Sequence, residues 1–372
     1  MTITINNKNK KPNVPNLRFK EFQGEWEKCK LSEICTFFSG GTPSSSNKDF
    51  YGGNIAFIRS GELHADSTEL FITQAGFDSS SAKMVEIGDL LLAMYGATSG
   101  DIAASKIKGA INQAILCIRT KQNKKFIESV WNKHVSKNLR KYLQGGQGNL
   151  SADIVKGISF FFPTLKEQEK IANLVSLLDE RIATQNKIIE KMQTLIKGIA
   201  HKVSKQGKPN IRLSECLLCT SSTLQESDVA EVGAYPVYGA NGIVGYLDTY
   251  NTTSEAIYII KDGSGVGAVS CVKGKCSATG TLNILQTKEG FSLRYLYFIL
   301  KVFSFEPYKT GMAIPHIYFK DYGKAKIYCP SNQLQCKYAD LLSKIEQKAT
   351  AEQKILDNLC SQKQYLLCQM FI

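Results

Sequence analysis

Val175, Ile182, Ile189, Ile196 and Val203 recur every seven residues, and Leu178, Gln185, Met192 and Ile199 fall between them. All but Gln185 are apolar. A 3.5-residue period kept over about four heptads is the pattern of a coiled-coil seam. A lone amphipathic helix on a globular core rarely holds so strict a period. Gln185 either fixes the register or sits where the seam is wet. A weaker seam follows near the other end: Leu342, Ile345, Ala349, Leu356, Leu359, Leu366 and Met370 fit it, while Glu352 and Lys363 do not. Each helix is the natural partner of the other. The first leaves one half of the chain and arrives at the other half, and the second can only run back, so the predicted pair is antiparallel.

Outside these seams the apolar positions form short runs between turn signals, as strands do. In the first half the runs are NIAFI, DLLLAMY, AILCIRT and ISFFF; in the second they are AIYIIK, AVSCV, LNILQT and AKIYC. Shorter helices are expected around 126–144 and 292–303. The two halves also match residue by residue. Pro163 pairs with Pro330, Gln168 with Gln335, Lys170 with Lys337, Ala172 with Ala339 and Leu174 with Leu341, all at an offset of 167. KLSEIC at Lys30 recurs as RLSECL at Arg212, and YGATSGDIA from Tyr95 faces KDGSGVGAV from Lys261. The chain is thus two copies of one α+β unit, each running from a strand-rich part into a long helix.

Composition adds a partner class. The formal net charge is +13 over 372 residues, which favours a nucleic-acid partner over a neutral surface. The stretch from Val175 to Val203, roughly 29 residues, would span about 43 Å. That is a little over one turn of B-DNA, roughly 34–36 Å, so two reading domains on such a spacer would reach two half-sites. The first 16 residues are polar and basic, with no apolar leader, and read as a disordered arm. No run of 18 apolar residues occurs, so no membrane span is expected. A cytoplasmic location with reduced thiols follows as the expectation.

Several stretches resemble the specificity (S) subunits of type I restriction–modification systems. They are NLRFKEFQGEWE at Asn16, SGGTPSSSNKDFYGGNIAFIRSGEL at Ser39, GATSGDIA at Gly96, NLSADIVKGISFFFPTLKEQEKIA at Asn149, YPVYGANGIVGY at Tyr235, and the two long helices. The resemblance implies two repeated target recognition domains separated by a pair of long antiparallel coiled-coil helices. On that basis the layout is an arm over 1–16, a first domain over 17–163, a central helix over 164–205, a second domain over 206–330 and a C-terminal helix over 331–372. It further implies a bipartite double-stranded DNA target and docking of two methyltransferase (M) subunits and of restriction (R) subunits. Catalysis, with S-adenosylmethionine and ATP, would lie in those partners. An S variant without partners, acting only as a DNA-binding or interaction protein, stays open as an alternative, and a stand-alone DNA-modifying enzyme is the third reading.

The residues themselves argue against that enzyme. There is no Walker A pattern for a phosphate cradle and no NPP tripeptide to mark a flipped-adenine pocket. DGSGVG at Asp262 follows a strand but opens no helix, so a hairpin turn is the better reading. Cys216, Cys219, Cys271 and Cys276 have the spacing of two half-sites for zinc. Cys216, however, aligns with the apolar Ile34, and the first half has no such quartet. No metal or cofactor is therefore expected in this chain.

Phosphate contacts give affinity and base contacts give specificity. From Arg119 to Tyr142 eight Lys/Arg face one acid, Glu128. A phosphate track of Lys124, Lys125, Lys133, Lys137, Arg140 and Lys141 is one reading and a solvated helix face the other. Base readers need short or forked polar side chains on glycine-rich loops. In the first half these are Thr42, Ser44, Arg59, Tyr95, Thr98, Ser99, Gln144, Gln147 and Asn149. In the second they are Tyr238, Asn241, Lys261, Ser264, Lys309 and His316. The loops differ greatly, so the predicted site is non-palindromic.

Overall fold

A computed structural model describes residues 3–5, 13–142, 150–311 and 313–372, with side chains at all of these except 3–5 and 136–142. The chain divides into two compact units, Met1–Ala183 with Asp357–Ile372, and Thr184–Leu356.

Each unit is built on the same four-stranded antiparallel sheet. In the first unit its order is Cys35–Ser39, Ile115–Thr120, Leu90–Ala93 and Ile102–Ala104. In the second it is Leu217–Ser221, Leu282–Thr287, Ala256–Ile260 and Val269–Val272. The continuous apolar runs have a simple cause: both faces of the inner strands are covered. Leu90 and Leu92 point into one core cluster and Leu91 into another. Ile257 and Ile259 likewise face one cluster, and Tyr258 the other. Successive side chains of a strand alternate between faces, so a strand lying between two cores is apolar throughout.

A second, mixed sheet holds one parallel pair in each unit. Gly109–Ile111 runs parallel to Tyr51–Ile58, with Ala110 opposite Phe57. Ser277–Ala278 runs parallel to Tyr235–Gly239, with Ala278 opposite Tyr238. A short ladder closes each unit: Glu27–Lys30 with Ser159–Phe162, and Ile211–Arg212 with Lys326–Ile327. After it comes one helical turn whose first N–H is held by a glutamate three residues on. The Lys30 N–H donates to Glu33 Oε2 at 2.8 Å and the Arg212 N–H to Glu215 Oε2 at 2.6 Å. The matching KLSE and RLSE sequences thus encode the same turn.

The arm was expected to lack structure. Instead Ile3–Ile5 pairs antiparallel with Leu17–Phe19, because its alternation of Ile and Thr suits an edge strand.

The long helices are Leu165–Ser204 and Asn332–Met370. Their segments pair antiparallel within each unit. In the first, Asp179 meets Lys363 while Val175 shares a core with Met370 and Phe371. In the second, Gln185 meets Glu352, and further along Gln206 accepts from the Tyr338 hydroxyl at 2.7 Å. Each end is anchored by a buried glutamine. Gln168 accepts from the Asn123 N–H and donates to the Pro163 carbonyl; Gln335 accepts from the Ser292 N–H and donates to the Pro330 carbonyl. Asn123 and Ser292 in turn cap the helices Lys124–Tyr142 and Leu293–Leu300 through the N–H groups of Phe126 and Tyr295.

Candidate nucleic-acid interface

Each unit ties its candidate loops into one platform by backbone hydrogen bonds. In the first unit the parallel strands end at Ile58 and Ile111. Arg59 follows one, and the turn Asn112–Ala114 the other. The Met94 N–H donates to the Ala114 carbonyl at 2.8 Å, and the Leu150 N–H donates to the Met94 carbonyl at 2.8 Å. In the second unit the Lys261 N–H donates to the Thr281 carbonyl at 2.9 Å, and the Ile317 N–H donates to the Lys261 carbonyl at 2.9 Å. Met94 and Lys261, Ala114 and Thr281, and Leu150 and Ile317 all lie 167 residues apart. The two chains of bonds are the same construction made twice.

Within each platform sits a hairpin loop bounded by glycines. Gly100 N–H closes onto the Ala93 carbonyl and Gly267 N–H onto the Ile260 carbonyl, both at 2.8 Å. Gly96 and Gly263 have φ of 80° and 94°, and Gly100 and Gly267 have 89° and 90°. These left-handed positions favour glycine. They also shift the sequence alignment by one residue: Tyr95 faces Asp262, and Lys261 faces Met94. DGSGVG joins antiparallel strands, so it is a hairpin turn and not a cofactor loop opening a helix.

On this shared frame the predicted readers fare differently. Tyr95 is exposed and Thr98 half-buried. Ser99 spends its hydroxyl on the Met94 carbonyl at 3.0 Å, which stabilises the turn. Thr42 donates to Gln113 Oε1 at 2.5 Å, and Ser44 pairs with Ser46 at 2.8 Å, both at the surface. Arg59 lies against Glu62, with Nη2 to Oε1 at 2.8 Å. The guanidinium holds the Glu62 carboxyl below its usual range, so a bidentate guanine contact must first break this pair. In the second unit Asn241 and Ser264 are exposed on their turns, and Lys261 is half-buried. Tyr238 stands edge-on to Tyr258 at 5.9 Å, and burial raises its phenol pKa; it belongs to the rim of a core. Lys309 pairs with Glu306 at 2.5 Å. His316 bonds through its main chain to Thr310, and Gly263 N–H reaches the Pro315 carbonyl, so the 309–316 loop is fastened to the DGSG turn. Gln144, Gln147 and Asn149 lie outside the described residues, as do the side chains of Lys137, Arg140 and Lys141.

Sequence reasoning passed over Gln113 and Tyr318, both exposed on these loops. Gln113 sits in the turn after the parallel strand Gly109–Ile111, whereas Thr279, at the same place in the second unit, is buried and paired with Thr281. Tyr318 carries Lys320 Nζ 5.1 Å from its ring centre. Position after a strand end was the available signal for Gln113.

The basic helix requires a correction. Three of its six proposed phosphate contacts are engaged within the protein. Lys124 Nζ donates to the Gly88 carbonyl at 2.6 Å. Lys125 bridges Glu128 at 2.5 Å and Asp179 at 2.8 Å; burial opposes its charge, but the two acids outweigh it and raise its pKa. Lys133 Nζ donates to the Phe371 and Cys368 carbonyls at 2.5 and 3.3 Å, and burial lowers its pKa. Lys125 thus ties this helix to the first long helix, Lys133 ties it to the end of the second, and Lys124 ties it to the turn at Gly88.

In the seams, Val175, Gln185, Ile189, Ile196, Val203, Leu342, Leu356 and Leu359 are buried, and Leu178, Ile182, Met192, Ile199, Ile345 and Leu366 half-buried. Glu352 and Lys363, which break the second pattern, are also half-buried and have partners. Gln185 Nε2 donates to Glu352 Oε2 at 2.6 Å and to its carbonyl at 3.0 Å, and Lys363 pairs with Asp179 at 2.5 Å. Of the four cysteines, Cys216, Cys219 and Cys271 pack with one core cluster and Cys276 with another; Cys276 lies 3.3 Å from the Tyr258 hydroxyl and Cys271 beside Glu255. Burial pushes Cys216 up to about 12 and Cys219 up to about 11, which makes them unreactive thiols.

The sequence profile described as "Type I restriction modification DNA specificity domain" matches residues 23–194 and again 216–360. The chain is 27% identical over 182 residues to the type I restriction enzyme MjaIX specificity subunit of Methanocaldococcus jannaschii, covering 45% of this chain and 42% of that one. It is 29% identical over 185 residues to the EcoR124I/EcoR124II specificity subunit of Escherichia coli, covering 47% and 45%. The chain thus matches under half the length of either relative. Its fold resembles the crystal structure of a type I restriction-modification S subunit from M. genitalium, with a TM-score of 0.68, 19% identity, and 96% and 99% of the two chains covered. Among the described residues, no helix is long and apolar enough to cross a membrane.

Proposed function

The chain belongs to the type I restriction–modification DNA specificity family, and from that premise we propose that it is a non-catalytic sequence reader. Each unit reads one half of a bipartite double-stranded DNA site through its loop platform. The long helices dock two methyltransferase subunits, and restriction subunits join that core. Adenine methylation and DNA cleavage, with S-adenosylmethionine and ATP, belong to those partners. The observation that carries this reading is the pair of platforms: one backbone frame, repeated at a constant offset, presenting different side chains. Tyr95, Ala97 and Thr98 stand where the second unit has Asp262, Ser264 and Gly265. A frame that fixes pose while side chains vary is suited to reading base edges, where donor and acceptor patterns differ between base pairs. Unlike loops imply unlike half-sites and a non-palindromic target.

Methylation mapping of the host genome with and without the gene tests this. The expected result is loss of one bipartite adenine-methylation motif. Retention of every such motif would sink the proposal. Substituting Asn241 and Ser264 together should change bases in one half-site only.

A further inference from the structure

The second unit contains a cavity of about 370 Å³ at the end of the first long helix, within the size range of ligand pockets, roughly 300–1,000 Å³. Its floor is apolar, with Ile299, Val302 and Phe303, and its rim carries His201, Lys205 and Lys326. None of these three side chains has a carboxylate within ion-pair distance among the described residues.

The repeat indicates what fits. Counted from the capping residues Asn123 and Ser292, Lys133 corresponds to Val302 and His134 to Phe303. Counted along the long helices at 167, Met370 corresponds to Val203 and Phe371 to Ser204. In the first unit the residue at the position of Ser204 is Phe371. It is buried, its ring centre 5.1 Å from that of Phe126 and 6.5 Å from that of Trp26. Lys133 reaches the Phe371 carbonyl and His134 lies 3.0 Å from Ile372 O. In the second unit the same place has the short Ser204 at the cavity wall, over Val302 and Phe303.

We propose that this cavity is a docking pocket for an aromatic side chain of a partner protein, carried on an acidic segment whose carboxylates meet Lys205, Lys326 and His201. The aromatic ring supplies beside Ser204 the bulk that Phe371 supplies at the corresponding position of the first unit. The rim supplies the charge complementarity that orients the segment. An apolar pocket that buries one aromatic anchor inside a polar rim is the usual layout of a binding hot spot.

The test uses the full chain and a fluorescein-labelled peptide, Glu-Asp-Phe-Glu-Asp, read by fluorescence anisotropy. The control peptide has Ala in place of Phe, so that binding driven by net charge alone is separated. The expected result is saturable binding at least tenfold tighter for the Phe peptide. Ser204→Phe, which places a large ring at the cavity wall, should weaken it at least tenfold. Lys326→Glu, on the exposed rim, should do the same and serves where Ser204→Phe does not fold. Equal affinity for the two peptides overturns the proposal. So does binding unmoved by either substitution, or no saturation up to millimolar peptide. DNA takes no part in the assay, so its outcome is independent of the sequence-reading role.

Discussion

The first and second units share their frame and differ in how they are closed. Both have the Gln168 or Gln335 anchor, the Glu33 or Glu215 cap and the doubled chain of loop bonds. Among the described residues, only the first has a buried ion pair at the root of its long helix. Arg18 Nε meets Glu167 Oε1 at 2.8 Å, and the guanidinium also donates to the Gly24 and Gln23 carbonyls. The second unit has the exposed Leu334 where Glu167 would recur. The first unit's mixed sheet has four strands and the second's has three. The difference separates what the repeated frame requires from what one copy has added. Loop-positioning bonds occur in both copies; supplementary clamps occur in one.

The largest expected effect breaks that asymmetry. Arg18→Met leaves Glu167 buried and uncompensated, at a cost of about 3–5 kcal/mol. Both tryptophans, Trp26 and Trp131, lie in the first unit, so their fluorescence during urea unfolding reports that unit alone. Its midpoint should fall sharply. Next come the shared anchors: Gln168→Ala and Gln335→Ala should each cost about 1–3 kcal/mol by leaving buried backbone groups unpaired. Tryptophan fluorescence should register the first and not the second, which circular dichroism should detect. A fluorescence shift of equal size in both would mean that the units do not unfold separately.

A smaller effect concerns acid. Burial opposes ionisation of Asp179, but bonds from Lys125 and Lys363 outweigh it, and the folded pKa is lowered. A depressed folded pKa adds stability above the unfolded value, about 3.9, and that stability is lost as pH falls through the folded value. Asp179→Asn should remove no more than about 1 kcal/mol at neutral pH and flatten the acid limb below about pH 4. An unchanged acid limb would remove Asp179 from the account. The smallest effect sharpens the loop comparison. Lys261→Met copies Met94 of the other platform, and should lower the slope of log affinity against log salt by about 1 if Lys261 meets a phosphate.

Much of this was legible along the chain because local rules govern it. Heptads marked the seam, and matching caps and glutamines marked the repeat. Glu352 and Lys363 looked like flaws, since one strand of sequence cannot show that Gln185 and Asp179 wait opposite. The basic helix misled for the same reason. Lysine has no acceptor and must find one, and Lys133 finds it at Phe371, 238 residues away in sequence. Arg18–Glu167 was invisible at a separation of 149. Arg59–Glu62, by contrast, is an i,i+3 pair that the sequence displayed openly. The candidate base readers were the least legible, because a turn residue's hydroxyl serves the turn or a ligand depending on pose, as Ser99 illustrates.

The glycine-bounded hairpins have a consequence for how new variants arise. Gly96 and Gly100, like Gly263 and Gly267, absorb the unusual backbone angles at the borders of the loop. Ser99 and Val266 keep structural duties within them, one in the turn and the other in the core, but exposed positions such as Ala97 and Ser264 are relieved of conformational duty. Those few positions behave as an exchangeable cassette, whose codons can be rewritten with little disturbance to the fold that carries them.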